Sequence, residues 1–293
     1  MRLAAFCARG EIGLATYRNG RLHGLLASDR RYPGSLEDLI AKGSAALLHA
    51  DSVLAGGEVF DADGIDFLPP LRRPPKIICV GLNYREHSEE SGFAQPDYPT
   101  LFARFPSSLI GHGAPIVSPA FSDSLDFEGE LAAIIGTGGR SIPKASALDH
   151  VAGYSVFNDG SIREYQFKTP QWTMGKNFDD TGAFGPAFVS ADELPPGGRG
   201  LRLETRLNGK VVQSANTDDL VFDVATLVST ISEAITLEPG DVIVTGTPSG
   251  VGHSRSPRLY MHPGDVCEVE IESVGLLRNA IVGKPTRAAA NAA

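Results

Sequence analysis

From Lys76 onward, the sequence is a succession of strand-length apolar or alternating segments that glycine and proline separate. The chain contains 33 glycines and 20 prolines, dispersed along its length, which is typical of many short strands joined by turns. These strand-like segments clearly outnumber the helical ones and do not alternate regularly with them, which argues against a doubly wound α/β sheet. The sequence therefore predicts a β-rich, mixed α+β fold. The segments are KIICVG, ELAAIIG, VAGYSVFND, LRLETRLNG, DVIVTG and DVCEVEIESVG.

One long helix is predicted among these strands. Thr217 is a suitable N-cap, and Asp218 and Asp219 follow in the first turn, where negative charge suits the helix dipole. Apolar residues then recur at helical spacing as far as Ile235, and Glu238-Pro239-Gly240 ends the pattern. We therefore expect an amphipathic helix that begins at Thr217.

The first 70 residues have the character of a separate small unit. Strand-like pieces at 2–7 and 11–17 precede a helix from Ser35 to about Leu48, whose start has the spacing of a capping box. The stretch LPPLRRPPK at 68–76 is typical of an extended linker. The sequence thus predicts a small N-terminal α/β appendage and a main domain, followed by a flexible tail. The predicted boundaries are 1–70, 71–285 and 286–293.

Charge and apolar patterning exclude several classes of partner. The chain has 26 lysines and arginines against 35 aspartates and glutamates, a net charge of −9. That balance argues against nucleic acid and against a polybasic membrane surface. No apolar run approaches the roughly 18 residues that span a bilayer, and no secretion signal is evident. The three cysteines are far apart, which suits a reducing cytoplasm. We expect a cytoplasmic protein without nucleic-acid or membrane partners.

Two glycine-rich loops do not fit nucleotide-binding motifs. IIGTGGRS has Ser141 where a dinucleotide fingerprint needs glycine, and TGTPSGVG (245–252) lacks the lysine of a P-loop. The second loop has two readings. It is an ordinary turn between strands, or its backbone amides form a nest that holds an anion.

The most informative segment is DFEGELAAII, in which carboxylates alternate. In a strand, Asp126, Glu128 and Glu130 would project from one face. Such acids commonly face water, but here the strand runs directly into AAII, which indicates burial of both faces. Like carboxylates that converge in a half-buried strand repel one another unless a cation lies between them.

A further acid, Asp159, lies in FNDGSIREYQ. Asn158-Asp159-Gly160 is also ordinary hairpin-turn chemistry. Oxygen-only ligation by Glu128, Glu130 and Asp159 would suit Mg²⁺ or Mn²⁺, with Ca²⁺ possible.

Five blocks occur here in the order seen in the fumarylacetoacetate hydrolase superfamily, and the resemblance covers about residues 76–283. Within that superfamily, the sequence resembles the acylpyruvate or fumarylpyruvate hydrolase branch and the 2-hydroxyhepta-2,4-diene-1,7-dioate isomerase branch. The resemblance implies a mixed β-roll, a bound Mg²⁺ or Mn²⁺, a homodimer and a small anionic keto-acid substrate. The blocks are VGLNYREHSEE, DFEGELAAIIG, NDGSIREYQ, GKNFD, and VTGTPSGVG followed by PGDVCEVEIESVGLLRN.

The resemblance also implies a role for individual residues. Glu128, Glu130 and Asp159 resemble the metal ligands. His87 and Glu90 match a dyad on a mobile lid, although in REHSEES a solvated helix surface is the plainer reading. The remaining matches are the active-site lysine, Lys176, and three residues that contact substrate, Arg163, Gln166 and Thr247.

Three hypotheses about function follow. The first is a metal-dependent hydrolase that cleaves a carbon–carbon bond in a 2,4-diketo acid, such as fumarylpyruvate, maleylpyruvate or a sugar-derived diketo acid, and releases pyruvate. In it His87 activates water, and Glu90 orients its ring. The second is an isomerase or decarboxylase of hydroxymuconate-type diacids in aromatic catabolism. The third is a non-catalytic ligand-binding protein on the same fold.

Overall fold

The computed structural model describes residues 1–92 and 94–283. The predicted tail at 286–293 lies outside the described residues. Among the helices in this described part, none is long and apolar enough to cross a membrane.

Within these residues the chain forms nineteen strands. The strands of the first half are β1 (Arg2–Ala8), β2 (Glu11–Arg18), β3 (Arg21–Leu26), β4 (Glu58–Phe60), β5 (Asp66–Phe67), β6 (Ile77–Gly81), β7 (Thr100–Arg104), β8 (Leu109–Ile110), β9 (Ile116–Ser118), β10 (Leu125–Asp126) and β11 (Gly129–Ile135). Those of the second half are β12 (Val151–Asp159), β13 (Ser161–Ile162), β14 (Gly182–Ser190), β15 (Arg202–Leu207), β16 (Lys210–Asn216), β17 (Val242–Val244), β18 (Val266–Ile271) and β19 (Gly275–Gly283).

The same described residues contain six α-helices, most of them short. They are α1 (Leu36–Lys42), α2 (Ser44–Ala55), α3 (Arg85–Glu90), α4 (Arg163–Gln166), α5 (Thr173–Lys176) and α6 (Val224–Ala234). Strands outnumber helices and parallel and antiparallel pairs are mixed, so the predicted β-rich α+β fold is confirmed.

A 12-stranded sheet forms the centre of the molecule. Its main path runs β4-β3-β2-β1-β14-β12-β11-β17-β6-β7. The N-terminal strands join it because β1 pairs antiparallel with β14, with Leu3 opposite Phe188. The hydrogen bonds of this sheet thus cross the predicted boundary near residue 70, and the division into two domains stays a prediction.

A second sheet packs against one face of the first. It has five strands in the order β16-β15-β18-β19-β9. Leu131 and Ala133 of β11 pack toward it in one core that also includes Leu203 and Val269. The intervening Ala132 and Ile134 belong to a different core, together with residues of α1 and α2. Both faces of β11 are therefore buried, as the AAII run predicts.

The predicted N-terminal helix is interrupted. It begins as expected, since the Ser35 side chain caps it by accepting from the Asp38 backbone N–H. It ends at Lys42 instead of about Leu48, because Gly43 adopts a φ of 89°, which side-chain-bearing residues rarely adopt. A second helix, α2, then begins at Ser44.

The predicted start of the long helix at Thr217 is wrong. Helix α6 begins at Val224, and the Asp223 side chain caps it by accepting from the Thr226 N–H at 2.8 Å. Residues 217–219 form a separate 3₁₀ turn. Asn83 keeps the intervening segment extended, because its carbonyl accepts from the Val221 N–H at 2.9 Å and its side chain binds both backbone groups of Phe222.

This cap can be tested by substitution. We expect Asp223→Ala to lower the free energy of unfolding by about 1 kcal/mol, because the first turn of α6 loses its acceptor. Glu233→Ala, at an exposed position of the same helix, is the matched control and should change stability little. The measurement is chemical denaturation of each variant. A larger loss in Asp218→Ala than in Asp223→Ala would instead favour a helix that begins near Thr217.

Candidate active site and metal centre

A cavity of about 370 Å³ lies at the ends of β6 and β11. It has a polar floor formed by carboxylates and cations and a partly aromatic wall. The structure brings eight of the nine predicted site residues to its lining, and the ninth, Asp159, contacts two of them. The eight are His87, Glu90, Glu128, Glu130, Arg163, Gln166, Lys176 and Thr247.

The pairing of β11 with β12 brings the three predicted metal ligands together. Glu130 lies opposite Phe157 in the register, and the Asp159 N–H donates to the Glu128 carbonyl at 2.8 Å. Residues opposite each other on antiparallel strands share a face. One carboxylate oxygen from each of Glu128, Glu130 and Asp159 lies within 4.8 Å of the others, and all three residues are buried.

The crowded carboxylates have different electrostatic environments. Burial, together with the neighbouring charges of Asp159 and Glu128, raises the pKa of Glu130 well above its usual range. Burial alone would also raise the pKa of Glu128, but the cations of Lys176 and Arg163 outweigh it and lower that pKa to about 2. Glu130 thus lacks a compensating cation of its own. A cation that binds among the three carboxylates would supply one.

Lys176 projects from α5 into the floor of this cluster. Its Nζ donates to Asp159 Oδ2 at 2.6 Å and also to Glu128. Burial lowers the pKa of this amine, but the two carboxylates outweigh burial and raise it, so Lys176 is a fixed cation. A Cβ at the preceding Gly175 would lie 2.4 Å from the Gln166 backbone nitrogen. Glycine is therefore needed there for α5 to approach α4.

Arg163 links this cluster to a further carboxylate. Its Nε donates to Asp126 Oδ2 at 2.8 Å, and its Nη1 donates to Gln166 Oε1 at 2.8 Å. Its Nη2 lies 2.7 Å from Glu128 Oε1 without the alignment of a hydrogen bond, and within the described residues that donor has no hydrogen-bond acceptor. Arg163 thus forms ion pairs with two buried carboxylates, Asp126 and Glu128.

The sequence reasoning missed Arg104, at the end of β7. Its side chain is fully buried and pairs with Asp159 Oδ1. The guanidinium also donates to the Gly160 carbonyl at 3.1 Å and to Thr181 Oγ1 at 3.0 Å. The signal was a single charged residue in an otherwise apolar strand segment, TLFAR, which pattern reasoning passed over.

Helix α3 carries the predicted dyad over the cavity. His87 Nδ1 lies 3.0 Å from Glu90 Oε1, and His87 is buried at 7% exposure. The plainer reading of a solvated helix surface therefore does not describe His87. Glu90 Oε2 also accepts from the Gly250 N–H at 2.9 Å. Because Nδ1 faces Glu90, the other ring nitrogen of His87 is the one free for the cavity.

The TGTPSGVG loop directs its backbone amides at carboxylates of the protein itself. Gly246 N–H donates to Glu130 Oε2, and Gly252 N–H donates to Asp126 Oδ1 at 2.8 Å. Thr247 lines the cavity, but its hydroxyl donates to the Gly129 carbonyl at 3.1 Å. The predicted contact of Thr247 with a substrate carboxylate stays a prediction.

An aromatic wall completes the cavity, and sequence reasoning missed it. Phe102 and Trp172 lie there edge to face with their ring centroids 5.5 Å apart. A Cβ at Gly81 would lie 2.3 Å from the Trp172 ring. The glycine at the end of β6 therefore permits the indole to enter, and no local pattern indicated that contact.

A family profile described as fumarylacetoacetate (FAA) hydrolase C-terminal matches residues 76–282. The chain is 39% identical over 290 residues to the mitochondrial oxaloacetate tautomerase fahd2 of Xenopus laevis, which covers 96% of this chain and 90% of that protein.

Two solved structures extend the comparison to the fold. Fumarylacetoacetate hydrolase from psychrophilic Exiguobacterium antarcticum is 37% identical with a TM-score of 0.86, covering 97% of this chain and 100% of that one. Maleylpyruvate hydrolase from Sphingobium sp. SYK-6, in complex with manganese(II) and pyruvate, is 27% identical with a TM-score of 0.79 over the same shares. The likeness therefore includes the whole candidate site.

The metal centre can be tested without substrate. Mn²⁺ at about 100 times its Kd should stabilise the protein by about 2.7 kcal/mol, because it binds only the native state. Glu130→Gln keeps an acceptor for Gly246 but removes the charge, so we expect it to lose this stabilisation. Glu164→Gln, at an exposed position beside the site, should retain it. Thermal denaturation with and without Mn²⁺ is the measurement, and equal Mn²⁺ shifts in all three proteins would contradict the assignment.

Proposed function

The chain belongs to the fumarylacetoacetate hydrolase family, as the order of its motifs predicts, and on that premise we propose that it interconverts the keto and enol forms of oxaloacetate or a related 2-oxo diacid. The full-length likeness to oxaloacetate tautomerases supports this choice of reaction. The predicted cleavage of a carbon–carbon bond is the second candidate.

The observation that carries the proposal is that the cavity contains one paired histidine above a floor of fixed cations. Enolisation moves one proton from C3 of the acid to the oxygen on C2. It requires a group that transfers a proton and cations that stabilise the enolate oxygen. The residues described above supply both.

The three carboxylates fit a divalent ion, since they are buried, mutually repelling and close enough to share one cation. We assign Glu128, Glu130 and Asp159 as its ligands, with Mg²⁺ or Mn²⁺ as the ion. When bound, such an ion polarises the keto group of a 2-oxo acid that chelates it.

The protein's own residues then divide the remaining tasks. His87 removes and returns the proton. Glu90 holds the ring by its Nδ1, which leaves the other ring nitrogen to face the substrate. Lys176 remains protonated, so it stabilises the enolate oxygen and does not serve as the base. Arg163, which lines the cavity, would bind a carboxylate of the substrate. Gln166 fixes that guanidinium, and Thr247 lines the carboxylate end of the cavity.

Carbon–carbon hydrolysis is supported by the same dyad and by the maleylpyruvate hydrolase neighbour. In that reaction His87 would activate a water molecule, which adds to the distal carbonyl of an acylpyruvate. The carbon–carbon bond then breaks, and pyruvate leaves as its enolate and takes up a proton at C3. The same residues serve both reactions, so substrate assays separate them.

The catalytic test uses oxaloacetate and Mn²⁺. We expect the wild-type protein to accelerate conversion of the enol to the keto form. The loss of the enol absorbance measures this conversion. His87→Asn should reduce kcat by at least about 100-fold, because it removes the proton-transfer group. The Mn²⁺-dependent rise in melting temperature should persist. His49→Asn, at an exposed position on α2, is the control and should behave as wild type.

Product analysis distinguishes the alternatives. Pyruvate released from an acylpyruvate, without acceleration of oxaloacetate tautomerisation, would favour the hydrolase. Carbon dioxide and pyruvate from oxaloacetate would favour a decarboxylase. Neither activity in a protein that still binds Mn²⁺ would favour a non-catalytic binding protein.

We also propose that the protein forms a homodimer through an apolar patch beside the site. Phe105, Phe121 and Met174 are 49%, 62% and 66% exposed and surround one shallow depression. Contiguous exposed apolar surface of this kind marks interfaces. Met174 lies on α5, two residues before Lys176, so a second copy of the chain seated here would support the helix that carries the active-site lysine.

Analytical ultracentrifugation tests the dimer. The wild-type protein should sediment at twice the 31.0 kDa of one chain. Phe121→Glu should shift it toward the monomer, because burial of the new carboxylate is unfavourable. Leu48→Glu, at an exposed apolar position remote in sequence, is the control and should leave the dimer intact. A wild-type monomer would contradict the proposal.

We propose a reducing compartment such as the cytoplasm. Cys7, Cys79 and Cys267 are all free thiols. Burial raises the pKa of Cys267 to about 12 and that of Cys79 well above its usual range, which makes these two thiols unreactive.

A further inference from the structure

We propose that Gln213 is a positioning residue that holds Thr247 and the strand of metal ligands in one fixed arrangement. This inference deepens the proposed function and rests on it, since it concerns the same site. Gln213 belongs to neither the carboxylate cluster nor the cavity lining. It acts through the two segments that it joins.

Gln213 reaches the site from the second sheet. It lies on β16, opposite Thr205 of β15, and is only 2% exposed. Its side chain extends to two segments of the large sheet: the start of β11 and the loop after β17. A buried amide of this kind needs partners for its oxygen and its nitrogen.

The partners form a closed ring of hydrogen bonds. Gly129 N–H donates to Gln213 Oε1 at 3.0 Å. Gln213 Nε2 donates to Thr247 Oγ1 at 2.8 Å. Thr247 Oγ1 donates to the Gly129 carbonyl at 3.1 Å. The second proton of the amide goes to the Pro248 carbonyl at 2.9 Å.

The Gly129 N–H fixes which group donates and which accepts in each hydrogen bond of the ring. The Gly129 N–H can only donate, so the oxygen of Gln213 faces it and the nitrogen faces Thr247. The lone pair of Thr247 accepts from that nitrogen, which leaves its proton for the Gly129 carbonyl. Each bond in such a ring polarises the next, so the three groups hold one another in place.

The ring replaces strand pairing that β11 lacks at this point. The ladder between β11 and β17 begins at Ala132 opposite Val244, beyond Gly129. The N–H and carbonyl of one strand residue point to the same side, and leaving both buried without partners would be costly. Gln213 and Thr247 supply the missing donor and acceptor.

The ring is connected to the site through Gly129. Gly129 lies between the ligands Glu128 and Glu130, and a Cβ on it would lie 2.3 Å from Thr205 Oγ1. The second sheet thus contacts the backbone between the two ligands directly. The ring sets where Thr247 lies relative to both carboxylates, and so where a keto acid chelating the cation meets the loop.

The test uses oxalate, an unreactive stand-in for the adjacent oxygens of a 2-oxo acid. We expect Gln213→Met to weaken oxalate binding to the Mn²⁺-loaded protein about tenfold, the effect of losing about one hydrogen bond, measured by calorimetry. KM for oxaloacetate should rise by a similar factor, while kcat changes by less than about threefold. The change falls on binding because His87 and Lys176 do not contact the ring.

Two further variants keep the test decisive if Gln213→Met does not fold. Gln213→Glu retains an acceptor for Gly129 but no donor for Thr247, and we expect the same loss. Gln171→Met, at an exposed position, is the matched control and should bind oxalate as wild type does. In Thr247→Val the ring is already open, so adding Gln213→Met should weaken oxalate binding by less than about twofold more.

Folded Gln213 variants that bind oxalate within twofold of wild type would overturn the inference. So would losses from Gln213→Met and Thr247→Val that multiply in the double variant, because independent effects would show that no ring links them. If the wild-type protein binds oxalate and the variants lose it, but oxaloacetate is not tautomerised, the positioning role stands and the proposed reaction fails.

Discussion

The hydrogen bond between the Asp159 N–H and the Glu128 carbonyl is the contact on which the site depends. It continues the pairing of β11 with β12 past the ends of the apolar ladder. As a result, Glu128 and Asp159, which are far apart in the chain, share one buried face with Glu130. The apolar residues behind them, buried on both sides, exclude the water that would otherwise screen their repulsion. The buried carboxylates therefore repel one another strongly unless cations lie close to them, and the neighbouring elements supply such cations.

Three cationic side chains of the protein compensate most of the negative charge of these carboxylates. Arg104 lies beneath Asp159, and Lys176 and Arg163 flank Glu128. Together with Asp126, four buried carboxylates face these three cations, which leaves one net negative charge in the site when all four carboxylates are ionised. A divalent ion would reverse that charge to one positive. The loaded site would then attract an anionic keto acid, although the whole chain carries a net charge of −9.

The site residues that could be predicted from the sequence are those that belong to a local pattern or a family motif. Alternation identified Glu128 and Glu130, and helical spacing placed His87 on the same face as Glu90. Family resemblance brought in Lys176 and Arg163. Arg104 was missed because its partner is fifty-five residues away, and nothing in TLFAR indicates a carboxylate. The start of α6 was misplaced for the same reason, since the competing interaction comes from Asn83, far away in the chain.

The placement of the proton-transfer group constrains how the site works. Lys176 is held protonated by the same carboxylates that would bind the cation, so it does not serve as the base. Of the residues that the structure describes in the cavity lining, His87 is the histidine paired with a carboxylate. It lies on α3, which contacts the rest of the site through the Glu90 carboxylate and the Gly250 N–H. Glu90 thus orients the His87 ring and docks its helix with one side chain. Removing the Glu90 carboxylate would disturb both the orientation of the His87 ring and the position of α3. The proton-transfer group is therefore correctly placed only when α3 is docked on the site.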